Sequence, residues 1–234
     1  MMILALDTTM AAVSACVFDT RTGRAIAAET MGMERGHAEA LMPAVERVVS
    51  RCEGGFEAFG RIAVAVGPGS FTGIRICIAA ARAFGLACGA PVVGVSTLAA
   101  LAAPLIVEEV PGQIAAAIDA RHGAVYIQAF SADGRTVLTP RILTLADAVR
   151  ALGPGPLRVA GSGAPALVLA AWAQGVTAEV VGEIVAPEIV YVARLGALAD
   201  PAQSPARPLY LKAPDARPSA RGAIERAREP QGTL

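Results

Sequence analysis

Apolar stretches and short polar breaks alternate along the first sixty residues, and this pattern predicts three strands followed by a helix. Residues 3–6 are an apolar run that ends at Asp7. Residues 13–18 and 25–30 have the composition of two further strands joined by a polar turn, which gives an antiparallel meander. A helix is predicted over 37–52, because apolar residues recur there at three- and four-residue steps.

The next segment predicts strands that alternate with helices. Residues 62–66 are a β-branched run, and after a glycine-rich turn comes an apolar stretch too long for a strand. A helix is therefore predicted over 71–88, capped at its start by Ser70. Residues 92–95 predict a short strand and 96–103 another helix. This order indicates an α/β domain with a mixed sheet.

The second half of the chain repeats the pattern of the first. Strands are predicted at 114–119, 124–130, 136–142 and 157–160, and helices at 144–152, 164–172 and 187–199. Asp119 ends its strand as Asp7 does, and in both halves apolar residues follow six and eleven positions after the aspartate. Because this unit opens both halves, a duplicated domain is the favoured interpretation.

The repeat predicts two subdomains and a tail. The first covers 1–106 and is completed by 187–212, and the second covers 107–186. The Pro- and Arg-rich tail, 213–234, is expected to be disordered.

Composition excludes several classes of protein. Of the 234 residues 54% are apolar, and 20 basic residues balance 20 acidic ones, so this chain alone is not expected to wrap a nucleic acid. Lys212 is the only lysine, which argues against a Walker-type phosphate loop or a Schiff base. The four cysteines form no CxxC pair, so they are interpreted as buried residues in a reducing cytoplasm.

An uncharged run from 83 to 107 is long enough to span a bilayer. Glycines, prolines and the Ser96-Thr97 pair interrupt it, so it is predicted to be a helix end, a buried strand and a helix start. The N-terminal sequence reaches Asp7 too early for a signal peptide. No membrane association is expected, and a cytoplasmic location is predicted.

Asp7, Thr8 and Thr9 are the first candidate binding residues. They follow a strand at its carboxyl end, where α/β folds place ligands. A carboxylate there can hold a metal-bound phosphate or orient a water molecule. It can equally cap the turn by accepting from local backbone amides, and the sequence leaves both interpretations open.

A second candidate is the turn that contains Gly67, Gly69 and Ser70. Glycines before a helix N-terminus permit an anion to approach, but the same segment is also an ordinary strand-to-helix turn.

The two histidines lack metal-binding spacing. His37 is interpreted as a capping or surface residue, and His122 either assists anion binding or shapes its turn.

The helix predicted at 71–88 is apolar on nearly every side. Arg75 and Arg82 are its only charged residues, and they share a face. A helix that is apolar all round is buried all round. A partner protein that covers one face is favoured, and burial by the second half of the chain is the alternative.

Six segments carry a resemblance to a known family. They are ILALDTT at 3–9, RGH at 35–37, GPGSFTGIRI at 67–76, GVSTL at 94–98, AIDAR at 117–121 and PLYLK at 208–212. Together they resemble the TsaB family of bacterial tRNA threonylcarbamoyladenosine biosynthesis proteins, in order and over about residues 2–212. Cys77 stands where many members have glycine, which affects helix packing rather than the resemblance.

The resemblance implies an α/β fold of actin-like/sugar-kinase (ribonuclease H-like) type, with two related subdomains of mixed sheets flanked by helices. It also implies a non-catalytic subunit that binds and activates TsaD, the catalytic paralogue, together with the ATPase TsaE. TsaD carries its metal on a His-x-x-x-His segment, whose positions here are Thr97 and Leu101. No metal, cofactor or catalytic residue is therefore expected, and tRNA is reached only through the complex.

Two other functions stay open. A phosphotransferase of the same superfold that uses ATP is suggested by Asp7, Asp119 and the glycine turns. A protease-like hydrolase is suggested only by the older classification of the paralogue family, and fold alone does not choose among these functions.

The resemblance places the partner surface on helices 37–52 and 71–88. The residues expected in it are Leu41, Val45, Val48, Phe71, Arg75, Ile78, Ala79 and Arg82. Glu39 and Glu46 are expected to complement the two arginines, within the chain or across the interface. Without its partner, the chain is expected to pair with a second copy through the same patch.

Overall fold

Two five-stranded mixed sheets of the same topology form the framework. A computed structural model describes residues 1–109, 111–182 and 185–212. The strands of the first sheet are β1 (Met2–Asp7), β2 (Ala12–Asp19), β3 (Arg24–Gly32), β4 (Phe59–Ala65) and β5 (Val92–Val95). Their order is β3-β2-β1-β4-β5, in which β1, β2 and β3 form an antiparallel meander and β4 and β5 run parallel to β1.

The second sheet repeats this arrangement. Its strands are β6 (Gln113–Asp119), β7 (Ala124–Phe130), β8 (Thr136–Thr144), β9 (Leu157–Ala160) and β10 (Ala178–Val180). Their order is β10-β9-β6-β7-β8, with the same parallel and antiparallel pairings as the first sheet. The predicted duplicated α/β fold of actin-like type is thereby confirmed. Strand β10 was not predicted, because only one of its three residues is buried and no apolar run marks it.

Helices cover both faces of the first sheet. The α-helices of the described residues are α1 (His37–Val49), α2 (Phe71–Cys88), α3 (Thr97–Val107), α4 (Leu145–Leu152), α5 (Ala164–Ala173) and α6 (Ile189–Leu198), and a short 3-10 helix covers Gly55–Ala58. Leu4 and Leu6 of β1 pack in one apolar cluster with Leu41 of α1 and Ile74 of α2. The alternate β1 residues Ile3 and Ala5 pack on the opposite face with α6. This alternation follows from the two-residue period of a strand.

The two halves exchange one helix each. Helix α3 follows the first sheet in the chain, but Leu98 and Leu101 pack with Ile114 and Ile118 of the second sheet. Helix α6 follows the second sheet and packs against β1, β2 and β4 of the first. Apolar contacts from both exchanged helices therefore tie the halves together.

The uncharged run from 83 to 107 is divided as predicted into the end of α2, strand β5 and helix α3. Ser70 and Ser96 cap α2 and α3 by accepting from the backbone N–H of Gly73 and Ala99. Within the described ranges, α2 alone meets the length and hydropathy that a membrane span requires. That criterion is also met by core helices of proteins that do not enter membranes, and one face of α2 packs on β4.

The subdomain boundaries at 106 and 187 stay a prediction, and the tail at 213–234 lies outside the described residues.

The position of α6 depends on a close approach between Gly196 and β4. A Cβ on Gly196 would overlap the Cβ of Ala63. The Arg61 guanidinium also donates to three carbonyl groups at the end of α6, at 2.8–2.9 Å.

Replacing Gly196 with Ala is expected to lower the free energy of unfolding by about 1–3 kcal/mol, since the added methyl group overpacks the contact with β4. Adding Ala63→Gly should recover part of this loss, because it removes the atom that the new methyl group meets. Urea denaturation measures both effects. Leu198→Ala, on the same helix and 85% exposed, is the control and should change stability by less than about 0.5 kcal/mol. A Gly196→Ala protein at least as stable as wild type would contradict this packing.

Candidate functional site

A cleft of about 840 Å³ opens between the two halves, at the carboxyl ends of β1 and β6. The first half contributes the turn after β1 (residues 9–11), His37 and the start of α2. The second half contributes the turn after β6, with Asp119, Arg121 and His122, and also Ser162 before α5. The duplicated topology therefore brings two equivalent turns face to face.

Asp7 lies behind this cleft and is almost completely buried. Its Oδ1 accepts from the Thr9 backbone N–H at 2.7 Å, whereas its Oδ2 has no hydrogen-bond partner. Burial raises the pKa of Asp7 to about 6 from an ordinary value of 3.8, although hydrogen bonds from Thr9 and the charge of His37 oppose the shift. Asp7 is not among the residues that line the cleft.

The glycine-rich turn packs against the chain's own backbone. Ser70 N–H donates to the Thr9 carbonyl at 2.7 Å, and the Thr8 hydroxyl donates to the Gly73 carbonyl at 2.6 Å. A Cβ on Gly69 would overlap the Thr9 carbonyl oxygen. Close backbone contact thus accounts for glycine at this position without a ligand.

Only some of the predicted anion-binding residues border the cleft. Thr9, Gly69 and Ser70 line it, while Thr8 and Gly67 do not. Gly67 has a φ of 102° and instead approaches Leu209 and Ile74. Anion binding by this group stays a prediction.

The turn after β6 brings Arg121, which the sequence analysis did not select as a site residue, to the cleft beside His122 and Asp119, which it did name. Arg121 and His122 both adopt left-handed backbone conformations, with φ of 65° and 53°. The Asp119 carboxylate accepts from the Arg121 backbone N–H at 2.8 Å. The AIDAR motif and the neighbouring histidine were visible in the sequence, but a left-handed conformation at two non-glycine residues has no sequence signal.

His37 also lines the cleft, although it was interpreted as a capping or surface residue. Its Nε2 lies 3.0 Å from the Met10 carbonyl oxygen. Since a carbonyl oxygen only accepts, Nε2 carries the proton in this contact. The imidazole therefore fixes the turn after β1 and is part of the cleft wall.

Thr97 and Leu101, the positions that the resemblance matches to the metal ligands of TsaD, lie in the core. Thr97 is fully buried, and its hydroxyl oxygen lies 3.1 Å from that of Thr9. Leu101 belongs to the apolar cluster between α3 and the second sheet. In the described ranges, no group of three His, Cys, Asp or Glu side chains is positioned to bind a metal ion.

Half of the residues expected at the partner surface lie in the core instead. Leu41, Val45 and Val48 of α1 and Ile78 of α2 are at most 4% exposed and pack against the first sheet. The prediction was wrong for these four residues because an amphipathic helix buries its apolar stripe on its own sheet. We define the outer face as the exposed residues of α1 and α2, namely Ala38, Glu39, Met42, Pro43, Glu46, Arg47, Phe71, Thr72, Arg75, Ala79, Arg82, Ala83, Leu86 and Ala87.

A C-terminal strap, residues 204–211, holds the two arginines of α2. The Arg75 Nε donates to the Tyr210 hydroxyl at 3.0 Å, and Arg82 donates to the Ala206 carbonyl at 2.7 Å. The Tyr210 ring stacks on Phe71, with the ring centres 5.3 Å apart. The arginines thus contact the strap, and the ion pairs found among the described residues do not join them to Glu39 or Glu46.

Comparisons with known proteins agree with this architecture. The family model described as TsaD, tRNA N6-adenosine threonylcarbamoyltransferase, matches residues 28–190. An uncharacterized protein of Mycobacterium tuberculosis strain H37Rv is 33% identical over 222 residues, which are 93% of this chain and 95% of that protein. The tRNA threonylcarbamoyladenosine biosynthesis protein TsaB of Escherichia coli is 33% identical over 133 residues, or 57% of this chain and 56% of TsaB.

Solved structures support the same assignment. YeaZ from Pseudomonas aeruginosa superposes with a TM-score of 0.71 at 26% identity, and the match covers 90% of this chain and 99% of YeaZ. The fold is thus that of a two-subdomain α/β protein of actin-like type. The chain belongs to the TsaD protein family, and the named relatives that it matches are TsaB proteins of tRNA threonylcarbamoyladenosine biosynthesis.

The buried Asp7 carboxyl is expected to make stability depend on pH. Its pKa is higher in the folded chain than in the unfolded one, so the native state binds the proton more tightly. The contribution to stability is therefore largest below about pH 4 and is lost as the pH rises through about 6. From pH 4 to 7, Asp7→Asn should gain about 2 kcal/mol of unfolding free energy relative to wild type. Urea denaturation at several pH values measures this, and parallel profiles for the two proteins would contradict it.

Proposed function

We propose that this chain is a non-catalytic subunit of a cytoplasmic complex that forms threonylcarbamoyladenosine next to the tRNA anticodon. In this proposal it binds and activates a TsaD-like catalytic paralogue, acts together with a TsaE-like ATPase, and contacts tRNA only through the complex. Family membership supports the pathway. The outer face of the α1–α2 layer is the observation on which the partner role rests.

The α2 part of the outer face is mostly apolar where a surface helix is ordinarily polar, while the α1 part carries the charged residues Glu39, Glu46 and Arg47. Leu86 is 88% exposed and Met42 is 52% exposed, with the small residues Ala79 and Ala83 exposed on α2. Arg75 and Arg82 lie on the same helix, and both are also exposed. Apolar residues rimmed by charged ones are typical of a protein interaction surface.

The side chains at the paralogue's metal positions support a subunit without activity of its own. Thr97 and Leu101 provide no imidazole. Both are buried, Thr97 against the Thr9 hydroxyl and Leu101 in an apolar cluster. Two histidines at these positions would still lack the hydrogen-bonding groups that orient metal ligands. In this proposal the chain acts by contact with its partner rather than by chemistry.

Replacing Ala79 with Arg tests the partner surface. Ala79 lies one helical turn from both Arg75 and Arg82, so a third long cation would be buried unpaired when a partner covers α2. Binding of the TsaD-like partner and self-association should both weaken at least about a hundredfold, since several kcal/mol are lost. Size-exclusion chromatography and pull-down with the purified partner measure the two effects.

Ala166→Arg is the matched control, because Ala166 is an exposed helical alanine on α5, away from the outer face. It should bind and self-associate like wild type, with circular dichroism confirming that both variants fold. An Ala79→Arg protein that folds and still captures the partner at wild-type strength would place the interface elsewhere.

The isolated chain is expected to show no threonylcarbamoyl transfer and to retain no zinc or iron after dialysis. The physical reason is that Thr97 and Leu101 cannot replace the imidazole ligands of the paralogue. Elemental analysis and a transfer assay with purified tRNA measure this. The Thr97→His, Leu101→His double variant should also remain inactive. A stoichiometric transition metal in the wild-type chain, or transfer activity without the partner, would overturn the non-catalytic role.

A further inference from the structure

Two pairs of charged residues on the outer face share one spacing. Arg75 and Arg82 lie seven residues apart on α2, and Glu39 and Glu46 lie seven residues apart on α1. All four residues are exposed. Seven residues make two helical turns, so the members of each pair lie on one side of their helix, about 10.5 Å apart along its axis. Helix α2 therefore carries a positive pair and α1 a negative pair of the same length.

The chain does not neutralise these charges itself. Among the residues that the structure describes, the ion pairs include none of the four side chains. The side-chain hydrogen bonds of Arg75 and Arg82 end on neutral oxygens, the Tyr210 hydroxyl and the Ala206 carbonyl. Each of these bonds uses one of the five N–H donors of a guanidinium. Both arginines can therefore still bind a carboxylate of another molecule.

Helices α1 and α2 run in the same direction. Strand β3 is parallel to β4 and β5, because two antiparallel steps through β2 restore the direction of β1. Helix α1 follows the carboxyl end of β3 and α2 follows the carboxyl end of β4, so both helices begin at the same edge of the sheet and run back along it. Glu39 and Arg75 consequently lie near this edge, and Glu46 and Arg82 lie two turns further from it.

The direction of the helices determines which charges meet when a second copy covers the outer face. For two stacked layers, the two-fold axis lies in the plane between them and runs either across the helices or along them. With the axis across the helices, each helix meets its own copy in the opposite direction, so Arg75 approaches Arg82 and Glu39 approaches Glu46. With the axis along the helices, α2 meets α1 of the second copy in the same direction. Arg75 then meets Glu39, and Arg82 meets Glu46.

We propose that the outer face pairs with a second copy of this chain about a two-fold axis that runs along α1 and α2. In this pairing Arg75 binds Glu39 of the second copy and Arg82 binds Glu46, and symmetry repeats both contacts. The other axis is disfavoured because it brings like charges together. The inference rests on the proposed function, which makes the outer face an interaction surface. It adds the orientation of the two copies and the charged residues that determine it.

The rest of the outer face is compatible with this pairing. The side chains of Ala79 and Ala83 on α2 are small, which allows a facing helix to approach closely. Met42 of α1 is 52% exposed and supplies apolar surface between the two glutamates. Arg47, the remaining charged residue of the outer face, is already paired with Glu29 of its own chain. It therefore adds little charge to the interface.

Two charge-reversal variants of the full chain test the pairing. The α1 variant carries Glu39→Arg and Glu46→Arg, and the α2 variant carries Arg75→Glu and Arg82→Glu. Each variant alone should self-associate at least about a hundredfold more weakly than wild type, since every attraction in the symmetric pair becomes a repulsion. An equimolar mixture should again form a complex of one copy of each, because all its contacts join opposite charges. Sedimentation velocity measures both effects.

The control is Arg135→Glu with Arg141→Glu, which changes the net charge as the α2 variant does, at exposed residues of the second half. It should self-associate like wild type, and circular dichroism checks that each variant folds. The α1 variant also gives a test by itself, in case loss of the strap contacts unfolds the α2 variant. Added salt should weaken self-association of wild type and strengthen that of the α1 variant, because salt screens attraction and repulsion alike.

The failure of this pairing and the failure of the proposed function give different results. If Ala79→Arg prevents self-association but both charge variants self-associate like wild type, the outer face is still the surface and the charge pairing is wrong. The pairing is also wrong if both folded variants weaken and their mixture does not recover. If Ala79→Arg self-associates and binds the TsaD-like partner like wild type, the outer face is not the interaction surface, and this inference is lost with the proposed partner role.

Discussion

The contact between the first turn of α2 and the turn after β1 determines the geometry of the first half. Ser70 N–H binds the Thr9 carbonyl, the Thr8 hydroxyl binds the Gly73 carbonyl, and glycines at 69 and 73 allow the backbones to meet. This contact covers Asp7 and keeps it from solvent. Burial is therefore the largest cause of the raised pKa of its carboxyl group. It also fixes the direction in which α2 leaves the sheet, and hence which residues form the outer face.

The turns after β1 and after β6 occupy equivalent positions in the two halves, but they make different contacts. In the first half, hydroxyl and carbonyl groups bind the neighbouring helix, so the turn is closed by its own chain. In the second half, the equivalent turn keeps a strained backbone and directs Arg121 and His122 to the cleft. The exchange of α3 and α6 between the halves holds the turns opposite each other through apolar contacts. The cleft is therefore a property of the whole fold rather than of one half.

Periodicity predicted the strands and helices well, because burial on a sheet imposes a two- or 3.6-residue pattern that the sequence retains. Periodicity did not predict which face of α2 is buried. Along α2, Ile78 is buried and the adjacent Ala79 is exposed, but a helix with almost no polar residue gives no pattern that separates its faces. The sequence analysis assigned the strap to the first half within 187–212, but it did not predict the strap's contacts with α2, since the one between Tyr210 and Arg75 joins residues 135 positions apart. The strained conformation at Arg121 likewise depends on distant partners such as Ser162.

Contacts with the strap hold the two arginine side chains of α2 in place. Arg75 lies with its guanidinium 3.8 Å above the Phe71 ring and donates to Tyr210, while Arg82 donates to a strap carbonyl. Both arginines are therefore held in place before any partner binds, so little side-chain entropy remains to be lost in an interface. The strap also covers β5, the edge strand of the first sheet, where Gly94 N–H donates to the Ser204 carbonyl. An edge strand covered in this way is closed to strand pairing with another chain.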